Sequence, residues 1–303
     1  MLVYNPNESF KISGSVVSND GGQRIAALGP ANLTSLMSTT QKFGDVLAND
    51  FGPSALTPEY SYLKGDITAA YTDKVKNHQR AFVFLNTNNS TVPAVLIVHD
   101  YVVSSNATFK KTWLLHCVQE PTFNGNVTTL VRNEKGYNGK LVNTTLLPLS
   151  SNTRLTKIGG AGNEFTVGGV NYPQSISNSN NSWDGAIWRV ELSPVTASQT
   201  DVFLNVMQVT DADNNTLLPV ESVETTRMTG AMIGDRMVLF SKNGSLENLP
   251  INLKINGSVK VLITDLEKGN WEVTGPQSTC ILKNENNLIY FQATEGNYMI
   301  TKK

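Results

Sequence analysis

Charged residues are scarce in this sequence. Asp, Glu, Lys and Arg make up 16% of its 303 residues, and the formal net charge is -1. Without an excess of positive charge, a protein has no long-range field that collects nucleic acid or an anionic membrane surface. We therefore expect no nucleic acid and no membrane among its partners. A few arginines in one groove would still suffice to bind an anionic polysaccharide.

Long apolar runs are missing as well. No run reaches the roughly eighteen apolar residues of a membrane-spanning helix, and the opening MLVYNPNESF lacks the basic and apolar regions of a signal peptide. We expect a soluble chain, and any export signal would lie outside it. Cysteine is limited to Cys117 and Cys280, and Cys117 stands in the apolar run WLLHCV. This placement predicts two buried free thiols rather than a disulfide.

Common catalytic signatures are absent. The sequence has no Gly-x-Ser-x-Gly, no His-Glu-x-x-His, no paired Cys-x-x-Cys and no phosphate-binding loop. The nearest segment, GGAGNEF at 159–165, lacks the final glycine and leads into a predicted strand, so we interpret it as a loop.

Histidine occurs only at 78, 99 and 116, which are too widely spaced for a local metal motif. His99 and His116 could form an acid/base or ligand pair on adjacent strands. They could equally be structural histidines whose hydrogen bonds go to backbone carbonyls, and we favour this second interpretation. No catalytic residue, metal site or cofactor is predicted in this chain.

The apolar pattern alternates with period two and predicts an all-β protein with antiparallel sheets. AFVFLN and VPAVLIVHDYVV read as two strands joined by a short polar turn, and KKTWLLHCVQ as a third. These strands are apolar almost throughout, which is typical of strands covered on both faces inside a layered sandwich. Further strands are predicted at NVTTLVRN, KLVNTTLLP, EFTVGGVNY, GAIWRVELSP and DVFLNVMQV.

The chain divides into two predicted domains, a large β-sandwich at 1–218 and a smaller β domain at 219–303. Within the first, residues 29–80 are rich in turn formers, and we expect a long excursion with one or two short helical turns. Within the second, INLKINGSVKVLITDL predicts a hairpin that turns at Asn256-Gly257.

The segment NDGGQR at 19–24 is the most site-like in the chain. Asn19 and Asp20 favour a turn, two glycines let a ligand approach the backbone, and Gln23 and Arg24 supply donors. This loop could bind a carboxylate or sulfate, and it could equally be a tight turn between strands.

Two tryptophans are a second candidate. Trp183 and Trp188 could form a sugar-stacking platform, although Trp188 alternates with Val190 and Leu192 like a core residue. We favour core packing for Trp188 and leave Trp183 open.

Several ordered motifs resemble the heparinase II/III-like polysaccharide lyases. In order and spacing they are MLVYNP, NDGGQR, YSYLKGDITAAY, FVFLN with VPAVLIVHDYV, FKKTWLLHCVQEP, KIGGAGNEFTVGGVNYP, WRVELSP and DVFLNVMQV. The resemblance extends to about residue 210, and the last hundred residues match only in general β character.

The resemblance implies an amino-terminal helical toroid packed on a large antiparallel β-sandwich, with a small β domain after it. It also implies cleavage of uronic-acid polysaccharides by β-elimination, in a cleft between toroid and sandwich. The family's catalytic His and Tyr and its zinc ligands precede the segment similar to MLVYNP, so none can be carried over to a position here. Zinc is therefore expected only in the complete enzyme.

These observations lead to one main hypothesis. The chain is the carboxy-terminal β portion of such a lyase, secreted or periplasmic, inactive by itself, with an anionic polysaccharide and the helical toroid as partners. Asn19, Asp20, Gln23 and Arg24 are its candidate substrate-binding residues. The alternative is a carbohydrate-binding or scaffold β-sandwich module without chemistry.

Overall fold

The fold was analysed in a computed structural model, which describes residues 1–12, 15–18, 21–23, 32–38, 43–172 and 186–303. Helix is limited there to α1 (Leu33–Ser38) and to single 3-10 turns at Thr68–Ala70 and Ser150–Asn152. The all-β prediction is confirmed. None of the described helices has the length and apolar character needed to cross a membrane.

The first part of the chain forms sixteen of the described strands. They are β1 (Leu2–Tyr4), β2 (Ser9–Ile12), β3 (Ser15–Ser18), β4 (Asp45–Gly52), β5 (Tyr60–Asp66), β6 (Val75–Asn86), β7 (Ala94–Ser104), β8 (Lys110–Cys117), β9 (Thr122–Asn124), β10 (Val127–Arg132), β11 (Gly139–Leu147), β12 (Thr153–Gly159), β13 (Thr166–Val167), β14 (Val170–Asn171), β15 (Trp188–Pro194) and β16 (Thr200–Thr210).

Nine further strands follow. They are β17 (Val220–Glu224), β18 (Met228–Ile233), β19 (Arg236–Ser241), β20 (Ile251–Ile255), β21 (Val259–Thr264), β22 (Gly269–Thr274), β23 (Thr279–Asn284), β24 (Leu288–Ala293) and β25 (Gly296–Lys302).

Four sheets make up most of the molecule. Sheet I has the strand order β1-β8-β15-β12, and sheet II has the order β4-β5-β6-β7-β16-β11-β10-β9. Sheet III has the order β17-β18-β19-β21-β24, and sheet IV has the order β20-β25-β22-β23. Within these sheets the pair β19–β21 is parallel, and the other pairs are antiparallel.

The sheets stack in the order I, II, III, IV, because each neighbouring pair shares an apolar core. Trp113 and Leu192 of sheet I pack against Phe203 of sheet II. On its other face sheet II packs against sheet III, and sheet III packs against sheet IV. The sandwich prediction is confirmed, and β7 is covered on both faces, with Ile97 on one and Val98 on the other.

The core between sheets II and III crosses the predicted boundary at residue 218. Val83 and Ile97 of sheet II share this core with Phe240 of sheet III, and all three are fully buried. The domain boundary at residue 218 stays a prediction. Apolar packing joins the residues before it to the residues after it.

Part of the interpretation of residues 29–80 is wrong. The two short helical turns are present, at α1 and at Thr68–Ala70, but β4 and β5 are full strands of sheet II. In β5 the buried positions are Tyr60, Tyr62 and Lys64. Buried and exposed residues therefore do alternate in β5. The buried positions hold tyrosine and lysine, so a search for alternating aliphatic residues does not find this strand.

The hairpin predicted at residues 251–263 is also wrong, although both strand positions are right. β20 pairs with β25 in sheet IV, whereas β21 pairs with β19 and β24 in sheet III. Gly257 has a φ of 76°, as the left-handed turn requires, but the turn carries the chain from one sheet to the other. Leu253 and Val261 consequently face each other in the core between the sheets.

Sheet II leaves one apolar area in solvent. Phe51, Leu63, Phe82 and Phe84 are 55%, 45%, 36% and 46% exposed. Leu63 lies opposite Phe82 and Ser61 opposite Phe84, so these side chains share the sheet face that sheet I covers farther along. We call these four residues the apolar face.

The cysteine prediction is half right. Both thiols are free, and Cys117 is buried, but Cys280 is exposed on β23.

Candidate functional site

The loop predicted as a binding site is described only in part, at Gly21, Gly22 and Gln23. Asn19, Asp20 and Arg24 lie outside the described residues. Gly21 has a φ of 84°, and a Cβ there would lie 3.2 Å from Leu2 Cβ. Its carbonyl accepts a 2.8 Å hydrogen bond from the Val3 amide. A glycine is therefore needed for the loop to lie against β1.

The same loop contacts polar groups near the start of β6. The Gly22 carbonyl accepts a 2.9 Å hydrogen bond from Lys74 Nζ, which also pairs with Glu8 at 2.7 Å. Gln23 is exposed, and its amide opposes the effect of burial on the pKa of the Tyr71 hydroxyl, which itself donates a 2.9 Å hydrogen bond to the Met1 carbonyl. The loop thus brings an exposed amide to the group of residues described next.

Four residues of sheet II and the turn before it form what we call the Arg80 cluster: Tyr71, His78, Arg80 and Asp100. Arg80 lies opposite Asp100 in the ladder of β6 and β7. Its Nε donates to Asp100 Oδ1 at 2.6 Å and its Nη2 to Oδ2 at 3.1 Å. His78 Nε2 lies 2.8 Å from Asp100 Oδ1, and the Tyr71 ring lies 5.4 Å from the His78 ring.

The charges in the Arg80 cluster are balanced internally. Burial alone would raise the pKa of Asp100, but Arg80 and the hydrogen bond with His78 hold it well below its usual range. Burial lowers the pKa of His78, and Asp100 offsets part of that effect. Burial also raises the pKa of Tyr71 to about 12. At neutral pH the cluster thus holds an ionised Asp100, a charged Arg80 and a protonated Tyr71.

Only the edge of the Arg80 cluster is accessible to a ligand. The side chains of His78 and Asp100 have no exposed area, and Tyr71 is 3% exposed. The Arg80 side chain is 24% exposed, and its Nη1 makes no hydrogen bond to the described residues. His78 and Asp100 therefore position Arg80, and Arg80 with Gln23 can present donors to an oxyanion.

The other two histidines are not brought together. The alternative in which His99 and His116 form a pair on adjacent strands is wrong, because His99 lies on β7 in sheet II and His116 on β8 in sheet I. His116 is exposed beside Arg189, and partial burial together with that guanidinium lowers its pKa. It is therefore not a histidine buried against backbone carbonyls either.

His99 is buried between sheets II and III. Its ring stacks on Phe240 with centroids 4.6 Å apart, and its Nε2 makes no hydrogen bond to the described residues. Burial lowers its pKa to about 4. The same interface holds a buried ion pair, in which Lys64 Nζ lies 2.6 Å from Asp265 Oδ1.

The tryptophan platform is not formed by the residues that are described. Trp183 falls in a stretch outside them. The Trp188 ring is partly buried and covers Gly159 and Gly160, where a Cβ would lie 2.9 Å and 2.8 Å from it. GGAGNEF is a loop after β12, as predicted, and its glycines make room for this ring.

The sequence analysis missed the Arg80 cluster. One signal was available: Asp100 interrupts the mostly apolar strand β7, and Arg80 directly precedes the apolar half of β6. Charged residues inside such strands need a partner because an unpaired buried charge is costly. Counting back from the predicted turn would not have found the pair, because a turn of TNNST alone would place Val98 opposite Arg80. The connection between β6 and β7 spans residues 87–93, and this longer connection places Asp100 there.

Comparisons with known proteins give one family match. The family described as the heparinase II C-terminal domain matches residues 222–302. A comparison with the curated proteins found no match.

Two solved structures of heparinase III were also found. One, with methylated lysines, is 11% identical, covers 77% of this chain and 35% of its own, and has a TM-score of 0.39. The other is 9% identical, covers 74% of this chain and 34% of its own, and has the same TM-score of 0.39. This chain thus spans about a third of the length of those proteins.

The family match confirms the resemblance to the heparinase II/III-like family. It falls on sheets III and IV, which begin after the motifs that carried the resemblance in the sequence. The expectation of only general β character for the last hundred residues is therefore wrong. The alternation of apolar residues in this small domain is common to β proteins, but its sequence still matches one family.

Proposed function

We propose that this chain, which carries a heparinase II C-terminal domain at residues 222–302, is the carboxy-terminal β portion of a polysaccharide lyase. Its substrate would be a uronic-acid-containing polysaccharide of the heparin or heparan sulfate kind or a related one, cleaved by β-elimination. The observation that carries the proposal is the family match itself. The matched domain shares a buried core with sheet II, which bears the Arg80 cluster. This packing supports assigning sheet II to the same lyase.

The proposed role of this chain is to bind the anionic groups of the polymer. β-Elimination removes the proton alpha to a uronate carboxylate, and that proton becomes acidic enough only when the carboxylate charge is neutralised. Arg80 offers a guanidinium that is held in place and partly exposed, and Gln23 offers an amide beside it. Asn19, Asp20 and Arg24 of the same loop remain proposed contacts.

The acid and base of the reaction are proposed to come from outside this chain. His78 is the histidine nearest to Arg80, and it is fully buried with its Nε2 held by Asp100, so it cannot reach a polymer carbon. Among the described residues, no group of His, Cys, Asp and Glu could hold a metal ion. The described residues therefore do not fit the zinc site that the family resemblance implies.

The proposed partner for this missing chemistry is a helical domain that rests on the apolar face. Four large apolar side chains exposed together are unusual for a surface that stays in water. Arg80 lies at the border of this area, with its guanidinium carbon 5.9 Å from the Phe82 ring. A domain packed there would form a cleft with Arg80 on one wall. The compartment would be extracellular or periplasmic, where such polymers are found.

The first test is a lyase assay that follows the unsaturated uronate product. We expect no product from this chain alone, and product from a longer polypeptide that joins it to the proposed helical domain. In that polypeptide, Arg80→Gln should lower kcat/KM roughly tenfold to a hundredfold, which corresponds to one charge-assisted hydrogen bond. Lys283→Gln, on exposed β23, is the matched control and should leave kcat/KM unchanged.

Two results would contradict the proposal. One is product from this chain alone that disappears when one of its own residues is changed. The other is an active longer polypeptide in which the folded Arg80→Gln variant keeps full kcat/KM.

The alternative is a carbohydrate-binding module or scaffold without chemistry, and the complete burial of His78 and Asp100 is the observation that favours it. In that case the longer polypeptide would bind the polymer and yield no product.

A further inference from the structure

A second polar cleft lies at the end of sheet I. It has a volume of about 180 Å³ and is bounded by the start of β8 and by the segment that follows β15. Its lining includes Lys110, Lys111, Arg154, Ser193, Thr196 and Asp201. Residues from three separate parts of the chain, at 108–111, 154 and 193–201, thus meet around one small space.

The cleft carries an excess of positive charge. Lys111 is fully buried, and its Nζ lies 2.8 Å from Asp201 Oδ2 and donates to the Ser198 carbonyl at 2.6 Å. Asp201 therefore balances Lys111. Lys110 and Arg154 are exposed and form no ion pair with a described residue, so two cations at the cleft remain without an anion.

A buried hydroxyl pair supplies a donor at the wall. Thr112 Oγ1 and Ser193 Oγ lie 2.9 Å apart, and the two residues are 4% and 3% exposed. Two hydroxyls carry two protons, and their mutual hydrogen bond uses one of them. The other proton has no acceptor among the described residues, and a buried donor without an acceptor is costly. An oxyanion in the cleft beside Ser193 would accept it.

The wall opposite the cations is rigid. Asn152 Oδ1 accepts the Val195 amide at 3.1 Å and the Thr196 amide at 2.7 Å, which fixes the segment after β15. Tyr4 lies opposite Lys110 in the ladder of β1 and β8 and is 44% exposed. Tyr4 therefore neighbours Lys110, and one face of a sugar bound at this cation could pack against the tyrosine ring.

We propose that this cleft binds the carboxylate or sulfate group of an anionic sugar, as a subsite separate from the Arg80 cluster. Arg154 and Lys110 would pair with the charge, and the Thr112–Ser193 pair would donate to one oxygen. This inference rests on the proposed function for the identity of the polymer, but not for the binding of the anion.

The two sites are linked through the chain between them. The Nζ of Lys74 donates to the Gly22 carbonyl, and the Lys74 carbonyl accepts the Ser105 amide. The neighbouring Ser104 amide donates to the carbonyl of Gln199, which follows Ser198 of the cleft lining. Backbone hydrogen bonds thus connect the segment beside the Arg80 cluster with the segment that leads into the cleft.

The test is a titration of this chain, followed by backbone amide chemical shifts. The probes are glucuronate, inorganic sulfate and neutral N-acetylglucosamine. We expect the amides of Ser193 and Thr196 to shift with an anionic probe and not with the neutral sugar. Shifts with glucuronate but not sulfate would identify a carboxylate subsite, and shifts with sulfate but not glucuronate would identify a sulfate subsite. Shifts with both would identify a general oxyanion subsite.

Variants locate the binding. Arg154→Gln with Lys110→Gln should weaken anion binding about tenfold or more, the loss expected for charge-assisted hydrogen bonds. Ser193→Ala, a smaller change, should weaken it less. Arg80→Gln and Lys283→Gln should leave these shifts unchanged. Absence of shifts with both anions, or unchanged binding in the folded double variant, would overturn the inference.

The outcome is separable from that of the lyase assay. Anion binding at the cleft without any eliminase activity in the longer polypeptide would support the subsite and reject the lyase. If the longer polypeptide is a lyase that depends on Arg80 but its cleft binds neither anion, the lyase is supported and the subsite is rejected.

Discussion

At the scale of single residues, the polar groups buried in the sandwich differ in how well they are paired. Asp100 accepts hydrogen bonds from Arg80 and lies in contact with His78, so the strands of sheet II can bury its charge. The Nε2 of His99 has no hydrogen bond to a described residue, and its ring only stacks on Phe240. A paired group stabilises its site over a wide range of pH, whereas His99 tolerates only its neutral form.

This difference predicts a pH dependence of stability. Burial holds the pKa of His99 at about 4, compared with 6.5 for an ordinary histidine. As pH falls from 6.5 to 4, the unfolded chain takes up a proton at His99 that the folded protein does not, so the free energy of unfolding decreases. Below about 4 both states are protonated, and this contribution no longer changes.

His99→Phe should remove that contribution and keep the stack on Phe240. We expect urea unfolding at pH 7 and pH 4 to show a smaller loss of stability in the variant, by roughly 3 kcal/mol at most. His116→Phe is the control; because His116 is exposed, it should change the loss much less. Equal losses in the His99 variant and the unaltered protein would show that His99 does not control this pH range.

At the scale of elements, β18 and β19 approach each other unusually closely at Gly230. A Cβ at this position would lie 1.9 Å from the Val238 carbonyl oxygen and 2.9 Å from Leu239 Cδ2. Backbone atoms in the middle of a sheet cannot move aside easily. The glycine therefore permits this strand pair.

Gly230→Ala should destabilise the protein by roughly 3 kcal/mol, the upper range for an overpacked core. Gly139→Ala is the matched control, since a Cβ at the start of β11 meets nothing within 4 Å. The control should change stability by less than about 0.5 kcal/mol. Urea unfolding of both variants measures the difference, and similar stabilities would mean that β18 and β19 separate at little cost.

The elements also show which parts of the fold could be predicted from the sequence. Strand positions follow from alternation because each strand buries one face or both, so β7 and β16 were identified correctly, and β6 was identified in its second half at residues 81–86. Pairing does not follow from alternation. Residues 251–255 and 259–263 have the pattern of a hairpin, but that pattern only requires the two apolar sides to meet, and here they meet across two sheets.

The candidate site was predictable to a smaller extent. The glycines of NDGGQR indicated a close approach of the backbone, and Gly21 lies against β1 with a φ of 84°. The choice between a binding loop and a tight turn stays a prediction. The pairing of Arg80 with Asp100 depends on the register of two strands, and the cleft at Arg154 depends on a contact between segments far apart in the chain. Neither arrangement is encoded within a short window of residues.

At the scale of the whole molecule, the core between sheets II and III joins the two predicted domains. If residues 219–303 were separated from the rest, Ile233, Val238, Phe240 and Leu262 would lose the apolar side chains that cover them. Asp265 would also lose its partner Lys64. The smaller domain is therefore expected to depend on the larger one.

We predict that the complete chain unfolds in a single transition on heating, and that isolated residues 219–303 bind a hydrophobic dye strongly. Dye binding by the isolated domain is compared with dye binding by the complete chain. Any dye bound by the complete chain is attributed to the apolar face. Two separate transitions, together with an isolated domain that is stable and does not bind dye, would show that residues 219–303 fold independently.

The position of β16 in sheet II has a consequence for biosynthesis. β16 lies between β7 and β11, and it is the last strand of the sheet to leave the ribosome. Until it arrives, β4–β7 and β9–β11 are two incomplete sheets, and each exposes an unpaired edge strand. Such edges favour aggregation of nascent chains. A chain that ends before residue 200 therefore leaves both edges unpaired and needs a chaperone, whereas sheet II can be completed once residues 200–210 have emerged from the ribosome.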